Sequence, residues 1–182
     1  MRKLKNKMNN NFKKSDMKYI FLTVLFTVFT TVGWSQNFSK LETIPLKDSV
    51  DCKNAEPKVL ECCNYLLSNQ CVEDKNSFSA FQFVFKWATG TKNYKFKIDN
   101  LFTSVAESDK ELSRRFLASM IKTAIVEKPE TIDDEFTVKY LTTFVEYCEN
   151  PKSKVPKSSF IKKMIKAKND NKLDDFIREQ SK

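Results

Sequence analysis

Ser77–Asp99 reads SFSAFQFVFKWATGTKNYKFKID, and the conformation of this stretch decides the fold. It holds seven aromatic residues and one of the two glycines in the chain. Phe81, Phe83, Phe85 and Trp87 alternate with Gln82, Val84 and Lys86, and Tyr94, Phe96 and Ile98 alternate with Lys95 and Lys97. Alternation suits strands, with Thr89-Gly90-Thr91 as the hairpin loop. The same residues also fit a helix, because Phe78, Phe81, Val84, Phe85 and Ala88 fall on one stripe. Ser77 is then the N-cap and Gly90 the C-terminal stop, where a left-handed residue is wanted. Phe83 and Trp87 occupy a second side, so such a helix is apolar over most of its circumference and belongs in the core. A lone hairpin in an otherwise helical chain has no sheet to join, which favours a helix over 78–89 and a short extended link over 94–98.

Upstream, the first eighteen residues carry seven bases (Arg2, Lys3, Lys5, Lys7, Lys13, Lys14 and Lys18) against the single acid Asp16. Tyr19 to Val32 then run without a charge, and Gly33-Trp34-Ser35 places small residues before a cut after Ser35. A basic start, an apolar run and a small-x-small site form a secretory signal peptide over 1–35. The apolar run is shorter than the ~20 residues of a spanning helix, so an uncleaved membrane anchor is the lesser alternative. The expected location is therefore the periplasm or the medium. Of 32 bases and 23 acids, residues 1–36 hold seven and one, so the remainder carries 25 bases against 22 acids, a net charge of +3. The basic excess thus belongs mostly to the targeting segment, and no nucleic-acid partner is expected.

Two glycines in 182 residues disfavour sandwiches and barrels, whose turns need glycine, and leave no phosphate-cradling loop. The chain reads instead as all-α, a single domain of six or seven mostly antiparallel helices over 55–182, behind a flexible leader over 36–54. Pro57 suits a first turn, so the first helix is expected over about 56–69. Asp99 caps a short helix over about 100–107. Ser108 with Glu111 reads as a capping box for a long helix. In that helix Leu112, Phe116, Met120 and Ala124 form one buried row and Leu117, Ile121 and Ile125 the next, with Arg114, Arg115 and Lys122 outside. Thr131 caps the following helix, which buries Phe136, Tyr140, Leu141, Phe144, Val145 and Cys148. Helices over about 157–168 and 171–180 complete the domain, the first burying Phe160, Ile161, Met164 and Ile165 and the second Leu173, Phe176 and Ile177.

All five cysteines, Cys52, Cys62, Cys63, Cys71 and Cys148, follow the targeting segment. An oxidising compartment permits disulfides among them, with one thiol left over. Buried thiols are the competing reading. A metal site is disfavoured by the lack of histidine and of a CxxC pair.

Leu66-Leu67-Ser68-Asn69, followed by Lys86-Trp87, Gly90-Thr91, Tyr94, Phe96 and Ile98-Asp99, resembles a group of small exported helical proteins of Bacteroidetes-type bacteria. The resemblance covers roughly residues 55–150. It implies a helix rather than a hairpin over 78–89 and implies no activity. The cysteines and Ala88-Thr89 depart from that pattern, so any disulfide would be particular to this chain.

The inventory for catalysis is thin. Without histidine there is no Ser-His or Cys-His dyad, and Asp133-Asp134-Glu135 reads as anions at a helix start rather than a carboxylate site. No catalytic residue and no cofactor is expected. Two features suit binding. Between Lys152 and Lys172 lie eight lysines and one acid. Of these, Lys157, Lys162, Lys163 and Lys166 are candidates for contact with anionic lipid or glycan. Trp87, Tyr94 and Phe96 would form a partner surface if exposed, and are core if buried. The expected function is non-enzymatic, by binding or interaction with a protein partner, or alternatively with an anionic envelope surface through the lysine tract.

Overall fold

A computed structural model describes residues 38–96 and 98–180. The segment read as an export signal lies outside the described residues. Among those described there are seven α-helices and no strand, and they form an all-α domain. The helices are α1 (Ser49–Ser68), α2 (Lys75–Gly90), α3 (Asn100–Ser108), α4 (Lys110–Glu127), α5 (Asp134–Glu149), α6 (Ser159–Asn169) and α7 (Leu173–Gln180). Short 3-10 helices occupy Phe38–Thr43 and Pro151–Ser153.

In a chain so poor in glycine, aspartate does most of the punctuation. Asp48, Asp74, Asp99, Asp109 and Asp133 start the first five helices, and Ser158 starts α6. Each offers a side-chain oxygen to an amide of the first turn that has no partner within the helix. Three expected caps move as a result. Ser77, Ser108 and Thr131 are displaced by Asp74, Asp109 and Asp133, whose carboxylates are the stronger acceptors at a positive helix end. Gly90 closes α2 without a left-handed φ. The left-handed positions fall instead on Lys128, Lys154 and Asn171.

The described part of the expected leader, 38–54, is folded. Phe38 and Leu41 are buried, and α1 begins at Ser49, so Pro57 lies inside a helix rather than at its start.

Helix α4 is the axis of the domain. Twelve of its eighteen residues are buried, which a helix shows only when it is covered nearly all round. It packs against α1, α2, α3 and α5, while α6 and α7 close on α5 and α3. Both apolar rows read from the sequence are buried. Phe116 shows how they are used: its ring meets Phe102 at 6.1 Å, Tyr140 at 5.4 Å and Phe144 at 5.0 Å, each edge-on. Edge-to-face contacts of this kind add about 0.5–1.5 kcal/mol apiece to the gain from burial.

Arg114 and Arg115 were expected outside and are buried, at 4% and 0% exposure. Such burial demands partners. Both pair with Glu111, Arg115 at 2.5 Å. Arg115 Nη2 also donates to the carbonyls of Gln70 and Val72 at 3.1 and 3.2 Å and to Ser77 Oγ at 3.2 Å. The α1–α2 link is thereby pinned to α4. From the other side Tyr147 Oη donates to Asn69 O at 3.0 Å, and Cys71 N donates to Ser153 O at 2.7 Å.

Candidate functional site

Helix α2 presents two faces, and they are not those its periodicity suggests. Ser77, Ala80, Phe83, Val84 and Trp87 point into the core. Phe78 and Phe85, on the stripe expected inside, are 40% and 48% exposed. Lys75, Gln82, Lys86 and Thr89 share that outer side.

Trp87 sets the orientation. It has no exposed surface, and its Nε1 donates to the backbone carbonyl of Cys52 at 2.8 Å. A buried indole N–H needs an acceptor, and α1 supplies one. The link after Gly90 then folds back over the indole. Tyr94 and Phe96 stand 6.1 and 6.5 Å from the Trp87 ring and 5.8 Å from each other. Trp87 is therefore removed from the expected partner surface, while Tyr94 and Phe96 are half-buried with edges available.

Two open grooves meet at Phe85. One, of about 460 Å³, runs between α2, the 91–98 link, α3 and α4, with walls from Phe85, Ala88, Tyr94, Phe96, Ile98, Phe102, Leu117 and Met120. Its polar rim comes from Thr89, Thr91 and Lys95. The other, of about 540 Å³, lies between α2 and the 38–43 turn, with walls from Phe38, Leu41, Phe81, Phe83 and Phe85 and a rim of Glu42, Lys75, Gln82 and Lys86. Both volumes fall in the range that holds small ligands or a few partner side chains. Arg114 lies at 5.2 and 5.1 Å from the Phe78 and Phe81 ring centres, so these rings are steadied from beneath by a cation.

The lysine tract is placed differently. Lys157, Lys162, Lys163 and Lys166 are all exposed. Lys166 pairs with Asp170 at 2.5 Å, and Lys168 pairs with Glu149 at 2.6 Å. The neighbouring cleft of about 610 Å³ mixes Lys163, Lys166, Lys172 and Arg178 with Asp170, Asp175 and Glu179. The acids of α7 thus cancel part of the positive field that the sequence run suggests.

The five cysteines are free thiols, four of them buried, so the expected disulfides are not formed in this structure. Cys52, Cys62 and Cys63 share one helix, where ten residues span about 15 Å and side chains cannot bridge. Cys71 lies beyond the end of that helix, tied to Ser153. Burial pushes the Cys62 thiol up to about 12 and the Cys71 thiol up to about 11. Burial also raises Cys63 and Cys148. Such thiols are poor nucleophiles.

The acidic run is structural. Asp133 accepts from Phe136 N at 3.0 Å, and Glu135 pairs with Lys139 at 3.0 Å. Among the described residues no group of three Cys, Asp or Glu side chains is arranged to hold a metal ion, and no helix is long and apolar enough to cross a membrane. The buried Arg114–Glu111–Arg115 cluster was missed from the sequence, although the spacing of Glu111 to both arginines at i+3 and i+4 is a legible sign of pairing. No protein-family model, curated protein or solved structure matches the chain.

Proposed function

We propose that this is an exported, non-catalytic binding protein that takes an apolar group of its ligand or partner into the groove beside Phe85. One observation carries the reading. A helical domain with a well-filled core leaves Phe85 half exposed between two grooves, one of them walled almost wholly by apolar side chains. Thr89, Thr91 and Lys95 at the rim offer hydrogen bonds and one positive charge to orient what binds. The basic and apolar start of the chain supports export. The likeness of the Lys86–Asp99 pattern to small exported helical proteins agrees with that, and supplies no activity. The alternative contact with an anionic envelope through the lysine tract is weakened by Asp170, Asp175 and Glu179 in the cleft beside Lys163 and Lys166.

The test is a titration of the folded full chain with an uncharged fluorescent probe, N-phenyl-1-naphthylamine. Saturable binding at one site is expected. It should weaken at least tenfold in Ala88→Phe, which fills the groove, and be unchanged in Lys162→Ala. Equal affinity in wild type and Ala88→Phe, or no saturable binding, overturns the reading.

A further inference from the structure

The outer side of α2 combines exposed aromatic rings with a cluster of exposed lysines. Phe78 and Phe85 project at 40% and 48% exposure, and Ile98 on the following link at 75%. Lys75, Lys86, Lys92 and Lys95 are exposed around them. At 100° per residue, Phe78 and Phe85 form one row along the helix and Lys75 and Lys86 a parallel row, roughly 80° away. From Lys75 to Ile98 the chain has five lysines and no Asp or Glu. Carboxylates lie at its edges, Glu42 on the neighbouring turn, Glu73 paired with Arg114 before α2, and Asp99 after Ile98.

We propose that this face docks on a membrane surface of anionic lipid, with Phe78, Phe85 and Ile98 entering the headgroup boundary and Lys75, Lys86 and Lys95 meeting the phosphates. The reasoning is charge complementarity together with shape. Aromatic and branched side chains prefer the interfacial layer, while lysine stems lie along apolar surface and carry the ammonium outward to the headgroups. A protein partner would more often be met by charges of both signs in balance, whereas on this face the exposed Lys75, Lys86, Lys92 and Lys95 surround the apolar side chains and the carboxylates stay at its edges. The lysine tract of α6 lacks protruding apolar side chains and is accompanied by acids, so it fits an anionic bilayer less well. The proposal rests on the reading of the outer side of α2 as the binding surface, and it names what that surface meets.

Binding alone is not a sufficient readout, because Tyr19–Val32 is itself apolar. The full chain is therefore mixed with vesicles containing a photoactivatable phospholipid, either phosphatidylcholine alone or with phosphatidylglycerol, and adducts are mapped by peptide mass. Adducts within 75–98 are expected with the anionic vesicles, falling at least roughly tenfold in phosphatidylcholine, in Phe85→Ser and in Lys75→Glu/Lys86→Glu. They should also fall as salt rises. These substitutions are at exposed positions, and circular dichroism confirms that each variant is folded. Adducts confined to 1–37 or to 152–172, or equal yield in both kinds of vesicle, overturn the proposal. Naphthylamine binding without adducts on 75–98 removes the lipid assignment alone. Adducts without naphthylamine binding remove the groove reading and leave the docking face standing.

Discussion

Arg115 reaches from α4 to the carbonyl of Gln70, 45 residues earlier, at 3.1 Å while its other terminal nitrogen holds Glu111 at 2.5 Å. One guanidinium thus joins a helix to the link that positions α2. Burial raises its importance, since a charge with no exposed surface depends wholly on its partners.

Removing Glu111 leaves two buried arginines with much less negative charge near them. Glu111→Ala should lose about 3–5 kcal/mol of stability in urea unfolding. Arg115→Met should lose a comparable amount, because Glu111 and two carbonyls are left behind. Arg115→Met should also speed amide exchange over residues 69–74, an effect that a generally weakened core would not confine to that link. A loss under about 1 kcal/mol in both variants would show that the cluster is better solvated than its burial implies.

Stability should fall on the alkaline side. Burial raises the Cys62 thiol to about 12 and the Cys71 thiol to about 11 from an ordinary value of 9.0. The sign follows from linkage. A raised folded-state value means that the unfolded chain releases its proton first, so the contribution is intact below pH ~8.5 and shrinks as pH rises toward 11 and 12. Each buried thiol adds a slope of about 1.4 kcal/mol per pH unit in that window. Denaturant midpoints measured from pH 7 to 10.5 should decline, and Cys62→Ala should flatten the decline while lowering stability at pH 7. In the same range native thiols should react slowly with a disulfide reagent, the Cys62 thiolate being roughly a thousandfold scarcer than in an exposed cysteine.

The two sides of α2 should respond oppositely to substitution. Phe83→Ala removes a ring buried at 4% exposure and should cost about 3–5 kcal/mol. Phe85→Ser, at a residue 48% exposed, should stay within about 0.5 kcal/mol of wild type. Trp87→Phe keeps most of the volume but removes the indole bond to the Cys52 carbonyl, for about 0.5–1.5 kcal/mol. Chemical denaturation of the three variants checks the assignment, and equal losses at 83 and 85 would reverse it.

Much of the helical plan is written locally. The rows Leu112–Phe116–Met120–Ala124 and Leu117–Ile121–Ile125 are buried as their 3.6-residue spacing requires, and so are Phe136, Tyr140, Leu141, Phe144 and Val145 of α5. Scarce glycine and the helical spacing of the apolar rows were enough to read the all-helical class. The remainder depended on contacts across the chain. Phe78, Phe81, Phe83, Phe85 and Trp87 spread rings around most of α2, so the apolar pattern alone does not choose a direction, although Lys75, Gln82, Lys86 and Thr89 gather on one side. The Trp87 bond to Cys52 and Arg114 under Phe78 choose it instead, through partners dozens of residues away. The same long-range packing drew Arg114 and Arg115 inward, buried four of the five thiols, and folded the 38–43 turn onto α2. Helix formation is a property of neighbours in sequence. Which face of a doubly apolar helix stays outside, and so what this protein offers to a ligand, is decided only when the other helices compete to cover it.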